Sequence, residues 1–159
     1  MIYSFLQNGD SAVTVQFQNE ISKEVNSQVT ALCDRLEAKH IDGVIELVPT
    51  FASLTVFYDC SVISSKKLKK KIEALIRDGE SHVKGTARVW NIPVCYDDEF
   101  ALDMETVCSH TKLTREEVIA LHTSKPYLIY MLGFLPGFAY LGGMDERLFT
   151  PRLKTPRLE

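Results

Sequence analysis

Apolar and polar residues alternate over residues 12–17, where Val13, Val15 and Phe17 are interleaved with Thr14 and Gln16. A period of two is what a strand with one covered face requires. Residues 2–6 predict a preceding strand, and Asn8-Gly9-Asp10 between the two supplies a backbone that tolerates positive φ. The period then changes. Ile21, Val25, Val29, Leu32, Cys33 and Leu36 recur at three and four positions, which predicts one apolar face of a helix over about residues 22–39, with Gly43 beyond its end. The cycle repeats in residues 44–78. Residues 44–48 predict a strand, Leu54, Val56 and Tyr58 form the inward row of another, and Leu68, Ile72, Leu75 and Ile76 mark a second helix. Ser64 or Ser65 caps that helix, because a hydroxyl in either place can accept from its first-turn amides. The order strand, strand, helix, strand, strand, helix predicts a compact α+β unit with helices on one sheet face.

A boundary falls near residue 85, within residues 80–87, which together with Gly79 and Gly85 read as a linker. The pattern beyond it differs. Arg88-Val89-Trp90-Asn91-Ile92-Pro93-Val94 predicts a new strand, and Cys95 reads as a strand residue behind it. Residues 102–110 predict a short helix with Asp103 near its start. Thr114-Arg115-Glu116-Glu117 is a capping box, in which Thr114 accepts from the first turn while Glu117 reaches back. Val118, Ile119 and Leu121 give that helix its apolar residues, and His122 lies in its last turn. A strand is expected over residues 127–132, and turns from Gly133 onward.

Composition narrows the function classes. The 159 residues are 45% hydrophobic and 25% charged, which excludes disorder and is enough for an unstapled core. Eighteen basic against twenty-one acidic residues leave a net charge of -3, so no nucleic-acid footprint is expected. The basic run Lys66, Lys67, Lys69, Lys70 and Lys71 reads first as a solvated helix surface, and second as a surface for an acidic partner. Cys33, Cys60, Cys95 and Cys108 form no CxxC pair, which fits a reducing compartment, with Cys33 a small buried hydrophobe. No apolar run is long enough to span a membrane and the start lacks a signal peptide's pattern, so a cytoplasmic protein is expected.

The familiar catalytic templates are absent: no phosphate-binding loop, no nucleophile elbow, no HExxH, no calcium loop. His40, His82, His110 and His122 are too dispersed to imply a metal site, and none is expected. One stretch is unusual for a loop. Gly133-Phe134-Leu135-Pro136-Gly137-Phe138, followed by Tyr140 and Leu141, sets apolar side chains between glycines and a proline. Such a loop either packs rigidly over a core edge or walls a pocket whose glycine amides approach a carbonyl or carboxylate. Arg152 and Arg157 follow in two Pro-Arg pairs, each a bidentate fork for a carboxylate or phosphate. His122 is a proton carrier if the fold brings it to the loop.

At these residues the chain resembles the KipI family, whose members are also called the B-type component of 5-oxoprolinase or allophanate hydrolase subunit 1. The decisive match is Gly133-Phe134-Leu135-Pro136-Gly137-Phe138-Ala139-Tyr140-Leu141, followed by Pro151-Arg152 and Pro156-Arg157. Gly9-Asp10-Ser11-Ala12 is similar to the family's Gly-Asp-x-Ala turn, and Ile92-Pro93-Val94-Cys95-Tyr96 to its Ile-Pro-Val-x-Tyr strand. Asp103 and His122 fall at helix positions that the family marks.

The resemblance implies an N-terminal α+β domain, an α/β sandwich over residues 1–84, and the first part of a cyclophilin-like β-barrel over residues 85–159, with further strands expected beyond Glu159. It implies a non-autonomous component of an ATP-dependent 5-oxoprolinase complex, working with a C-type partner and a catalytic A-type partner to open 5-oxoproline to glutamate. ATP would be used by the complex, with no cofactor bound by this chain alone. His122, Arg152 and Arg157 become the catalytic candidates, and Gly133, Phe134, Pro136, Gly137, Phe138 and Tyr140 the substrate-binding ones. A kinase-inhibitor member of the family implies the alternative: a protein that lowers the autophosphorylation of a sensor histidine kinase.

Overall fold

The computed structural model describes residues 2–78 and 88–155. Four strands, β1 (Tyr3–Asn8), β2 (Ala12–Phe17), β3 (Val44–Pro49) and β4 (Ser53–Tyr58), form one antiparallel sheet in the order β1-β2-β4-β3. Helices α1 (Lys23–Lys39) and α2 (Ser65–Arg77) supply the apolar residues that meet it. The alternation in β2 fixes which face is covered: Val13, Val15 and Phe17 join Leu54, Val56 and Tyr58 in a core that also takes Val29, Leu32, Leu36, Leu68 and Ile72. Full burial of each such side chain contributes about 1.5–3 kcal/mol, so this cluster dominates the stability of the unit. The opposite face is joined by polar contacts at its centre. Asn8 Nδ2 donates to Thr14 Oγ1 at 2.6 Å, and the Thr14 and Thr55 hydroxyls lie 2.8 Å apart.

Local chemistry sets the element ends. The Ser22 hydroxyl accepts from the Val25 amide, and Ser64, not Ser65, caps α2 by accepting from Lys67. Ile21 lies outside α1 and is exposed, so the apolar face begins one turn later than the spacing suggests. The C-terminal turn of α1 closes on His40 in the left-handed region (φ 43°). Gly43 serves a different purpose. It sits at φ +87°, and a Cβ there would stand 2.9 Å from Ile63 Cγ2, so the chain passes Ile63 closely only because that residue is glycine.

The chain divides into two compact units, one of Met1–Thr86 with Tyr130–Tyr140, the other of Ala87–Ile129 with Leu141–Glu159. The second contains α3 (Met104–Thr111), α4 (Arg115–Thr123) and a 3-10 turn at Glu146–Leu148, and among the described residues Val118 and Leu148 are its buried apolar side chains. The Thr114 capping box forms as expected, with both reciprocal hydrogen bonds present. Strands β5 (Leu128–Leu132) and β6 (Ala139–Gly142) pair as a two-stranded hairpin whose second strand the turn-rich composition hid.

The strand expected over residues 88–94 is not one here. Among the described residues it has no ladder partner, and Val89, Trp90, Ile92 and Val94 are exposed. Apolar alternation makes a segment fit to pair, but a strand exists only when another backbone takes its N–H and C=O groups. Cys95 is exposed in the same irregular stretch. The stretch over residues 79–87 lies outside the described residues. Among those described, no helix is long and apolar enough to cross a membrane.

Candidate functional site

The loop between β5 and β6 is built from two consecutive tight turns. The Leu135 amide donates to the Gly133 carbonyl at 2.8 Å around Phe134, which sits at φ +67°. An i→i+2 bond about a positive-φ residue is the less common, strained form of the γ-turn. The Phe138 amide then donates to the Leu135 carbonyl at 3.0 Å, with Pro136 and Gly137 between and Gly137 at φ +80°. Proline followed by a positive-φ glycine is the requirement of a type II β-turn. The Gly133 amide closes the loop by donating to the Phe138 carbonyl at 3.0 Å.

This geometry turns side chains outward. Phe134 is 83% exposed, and Pro136 and Gly137 are exposed beside it. The Phe134 and Phe138 rings lie 5.8 Å apart, and Phe138 and Tyr140 5.2 Å apart, both edge to face. An exposed aromatic row on a backbone that holds a phenylalanine at positive φ costs stability, and such strain persists where the surroundings over-determine it. Gly133 has less room: a Cβ there would meet Met131 Cε at 3.3 Å and Tyr140 Cε2 at 3.5 Å.

A residue that periodicity passes over reaches Tyr130, which lies in the same unit. Asn26, 7% exposed on α1, donates from Nδ2 to the carbonyls of Thr50 (3.3 Å) and Tyr130 (3.2 Å). Its signal in the sequence is a polar residue between Val25 and Val29 on the buried side of a helix.

His122 belongs to the second unit, in the last turn of α4, and is half-buried. Its Nδ1 is hydrogen-bonded to the hydroxyl of Tyr96. Tyr127 donates its hydroxyl to the His122 carbonyl at 2.8 Å, satisfying one of the free carbonyls at the helix end. The two tyrosine rings flank the imidazole at centroid distances of 5.9 and 5.7 Å. Tyr96 is itself held: Arg115 donates to its backbone carbonyl and, at 2.6 Å, to Asp98. Burial pushes the Tyr96 phenol above its ordinary pKa, and the neighbouring Tyr127 adds to that; burial does the same for Tyr127, helped by Asp145. Both phenols therefore stay protonated at neutral pH and remain donors.

Of the arginines singled out by the sequence, Arg152 lies in the second unit, exposed, and makes no ion pair among the described residues. Arg157 lies outside the described residues. Among the described residues, no group of three or more His, Cys, Asp and Glu side chains is arranged to hold a metal ion. Tyr96 is the residue that sequence reasoning missed: it closes the Ile-Pro-Val-Cys-Tyr segment, and the fold brings it to His122, which stands in another segment of the same resemblance.

The family model for the carboxyltransferase domain, subdomain C and D, matches residues 3–159. Over 165 aligned residues the chain is 41% identical to the B subunit of 5-oxoprolinase from Bacillus subtilis (strain 168), spanning 98% of this chain and 69% of that protein. It is 29% identical to the B subunit of the Escherichia coli O157:H7 5-oxoprolinase, over 94% of this chain and 67% of the relative. Among solved structures, TTHA0988 superposes with a TM-score of 0.76 at 33% identity, covering 92% of this chain and 28% of the longer one. The Kluyveromyces lactis urea carboxylase shares the fold, with a TM-score of 0.62 at 18% identity over 82% of this chain and 14% of its own. The chain belongs to the family of KipI and the 5-oxoprolinase B subunits, within the carboxyltransferase subdomain C and D proteins.

Proposed function

We propose that this chain works as the B-type component of an ATP-dependent 5-oxoprolinase, opening 5-oxoproline to glutamate together with a C-type partner and a catalytic A-type partner. The observation that carries this reading is its 41% identity, across 98% of its length, to a 5-oxoprolinase B subunit. In this reading residues 1–84 form the N-terminal domain, and residues 85–159 belong to a cyclophilin-like barrel. The exposed apolar alternation of Val89, Trp90, Ile92 and Val94 supports the latter, since it suits a segment that another barrel strand covers.

The chemistry assigns each candidate a task. A lactam is a stable amide, so its carbonyl needs activation, which ATP supplies in the complex. In the net reaction one water is added across the ring C–N bond, and ATP with a second water yields ADP and phosphate. The ring nitrogen takes a proton as it leaves, and His122 is the group in this chain suited to move it. Negative charge gathers on the former carbonyl oxygen and the phosphoryl group, and fixed donors facing that charge lower the barrier. Arg152 and Arg157 hold the carboxylate or phosphoryl oxygens. The loop residues Gly133, Phe134, Pro136, Gly137, Phe138 and Tyr140 bind the substrate.

Reconstitution with the A-type and C-type partners tests the assignment. His122→Ala, Arg152→Ala and Arg157→Ala variants should assemble yet lose 5-oxoproline turnover. Undiminished turnover in all three would remove these residues from the site. Lowered histidine-kinase autophosphorylation by a chain that supports no turnover would favour the inhibitor reading instead.

A further inference from the structure

The hydrogen bond between Tyr96 and His122 has a direction that chemistry decides. A neutral phenol is the stronger donor of the pair, and an unprotonated imidazole nitrogen the stronger acceptor. If Nδ1 carried the proton, the Tyr96 O–H would need another acceptor, and among the described residues its hydroxyl is hydrogen-bonded only to His122. Ring position is fixed independently. Tyr127 pins the backbone carbonyl of His122, and Arg115 pins the backbone of Tyr96. Nε2 has no hydrogen-bond partner among the described residues.

We propose that Tyr96 is a positioning residue for His122: its hydroxyl donates to Nδ1, holds the imidazole as the Nε2–H tautomer, and leaves that N–H free for a substrate oxygen. The ligand chemistry this presents to is a carbonyl, carboxylate or phosphoryl oxygen, since an N–H donor recognises an acceptor and repels another donor. A histidine's tautomer is set by the bond its other ring nitrogen makes, so losing that bond releases the choice. The functional part of the proposal rests on the reading of His122 as a site residue; the tautomer itself does not.

The test is long-range proton–nitrogen NMR of the histidine side chains in the ¹⁵N-labelled chain, at a pH where His122 is neutral. The wild-type ring should show Nδ1 as an unprotonated acceptor and Nε2 as protonated, and Tyr96→Phe should convert that single signature into a mixture of both tautomers. Tyr127→Phe, which removes a bond to the backbone carbonyl and not to the ring, should leave the wild-type signature in place. A wild-type proton on Nδ1, or an unchanged Tyr96→Phe spectrum, overturns the proposal without reference to any reaction. Turnover of the reconstituted complex is then measured separately. A preserved tautomer with an inactive complex bears on the oxoprolinase reading, and loss of kcat in Tyr96→Phe with KM retained supports positioning.

Discussion

Asn26 on α1 donates its side-chain amide to the carbonyl of Tyr130, 104 positions along the chain, at 3.2 Å. The same amide reaches Thr50, so one buried polar group joins a helix, a strand connection and the base of the aromatic hairpin. Asn26→Ala leaves two carbonyls without this donor and should cost about 1–3 kcal/mol in urea unfolding. Asn26→Asp should cost more at neutral pH, because a carboxylate would then face two carbonyl oxygens. Equal stability of the two variants would show that packing, and not donation, is what the position supplies.

The hairpin loop predicts two substitutions of opposite sign. Phe134 holds φ +67° with its ring largely in solvent, so Phe134→Gly should raise stability by about 1 kcal/mol, the relief of backbone strain exceeding the loss of its edge-to-face contact with Phe138. Gly137 holds φ +80° as the second central residue of the type II turn, and Gly137→Ala should lower stability by about 1 kcal/mol. Denaturant midpoints for the pair check this directly. If Phe134 serves the binding site, the stabilised variant should also be the less active one in the complex.

Cysteine chemistry should separate by burial. The Cys33 thiol is pushed up to about 11, first by burial and then by the neighbouring Glu37 and Asp34, whereas Cys60 and Cys95 are exposed. Alkylation at pH 8 followed by mass spectrometry should modify Cys60 and Cys95 rapidly and Cys33 only on unfolding. The sign of the pH effect follows. Because the unfolded thiol deprotonates near 9.0 and the folded one near 11, this stabilising contribution is complete below pH 9 and declines as pH rises towards 11.

Asp145 predicts the opposite slope. Its carboxylate accepts from the Arg147 side chain and amide, which lowers its pKa to about 2. Its contribution is therefore present above the ordinary value of 3.8 and is lost as pH falls through about 2. Carboxyl chemical shifts titrated in the wild type and in Arg147→Ala should show the midpoint rise towards 3.8 when the arginine is removed.

How much of this was legible in the sequence follows from what each signal depends on. Val13, Val15 and Phe17 predict a strand face, and Val25 to Leu36 a helix face, because periodicity is a local consequence of covering one side. Thr114 and Glu117 are read equally well, their two hydrogen bonds lying within one turn. Residues 88–94 are different: their alternation is real, but pairing depends on a second backbone that local sequence does not specify. The Pro136-Gly137 turn was visible as a turn, yet the positive φ of Phe134 was not, since nothing in its residue type favours it. Tyr96 and His122 stand 26 positions apart, and only the fold brings the phenol to the imidazole.

The most direct measurement is phosphate release from ATP in a mixture of the A-type and C-type partners, with 5-oxoproline present or absent, and with this chain added or withheld. A B-type role predicts release that requires both 5-oxoproline and this chain, accompanied by glutamate. Release that is indifferent to the chain, or to 5-oxoproline, would contradict it.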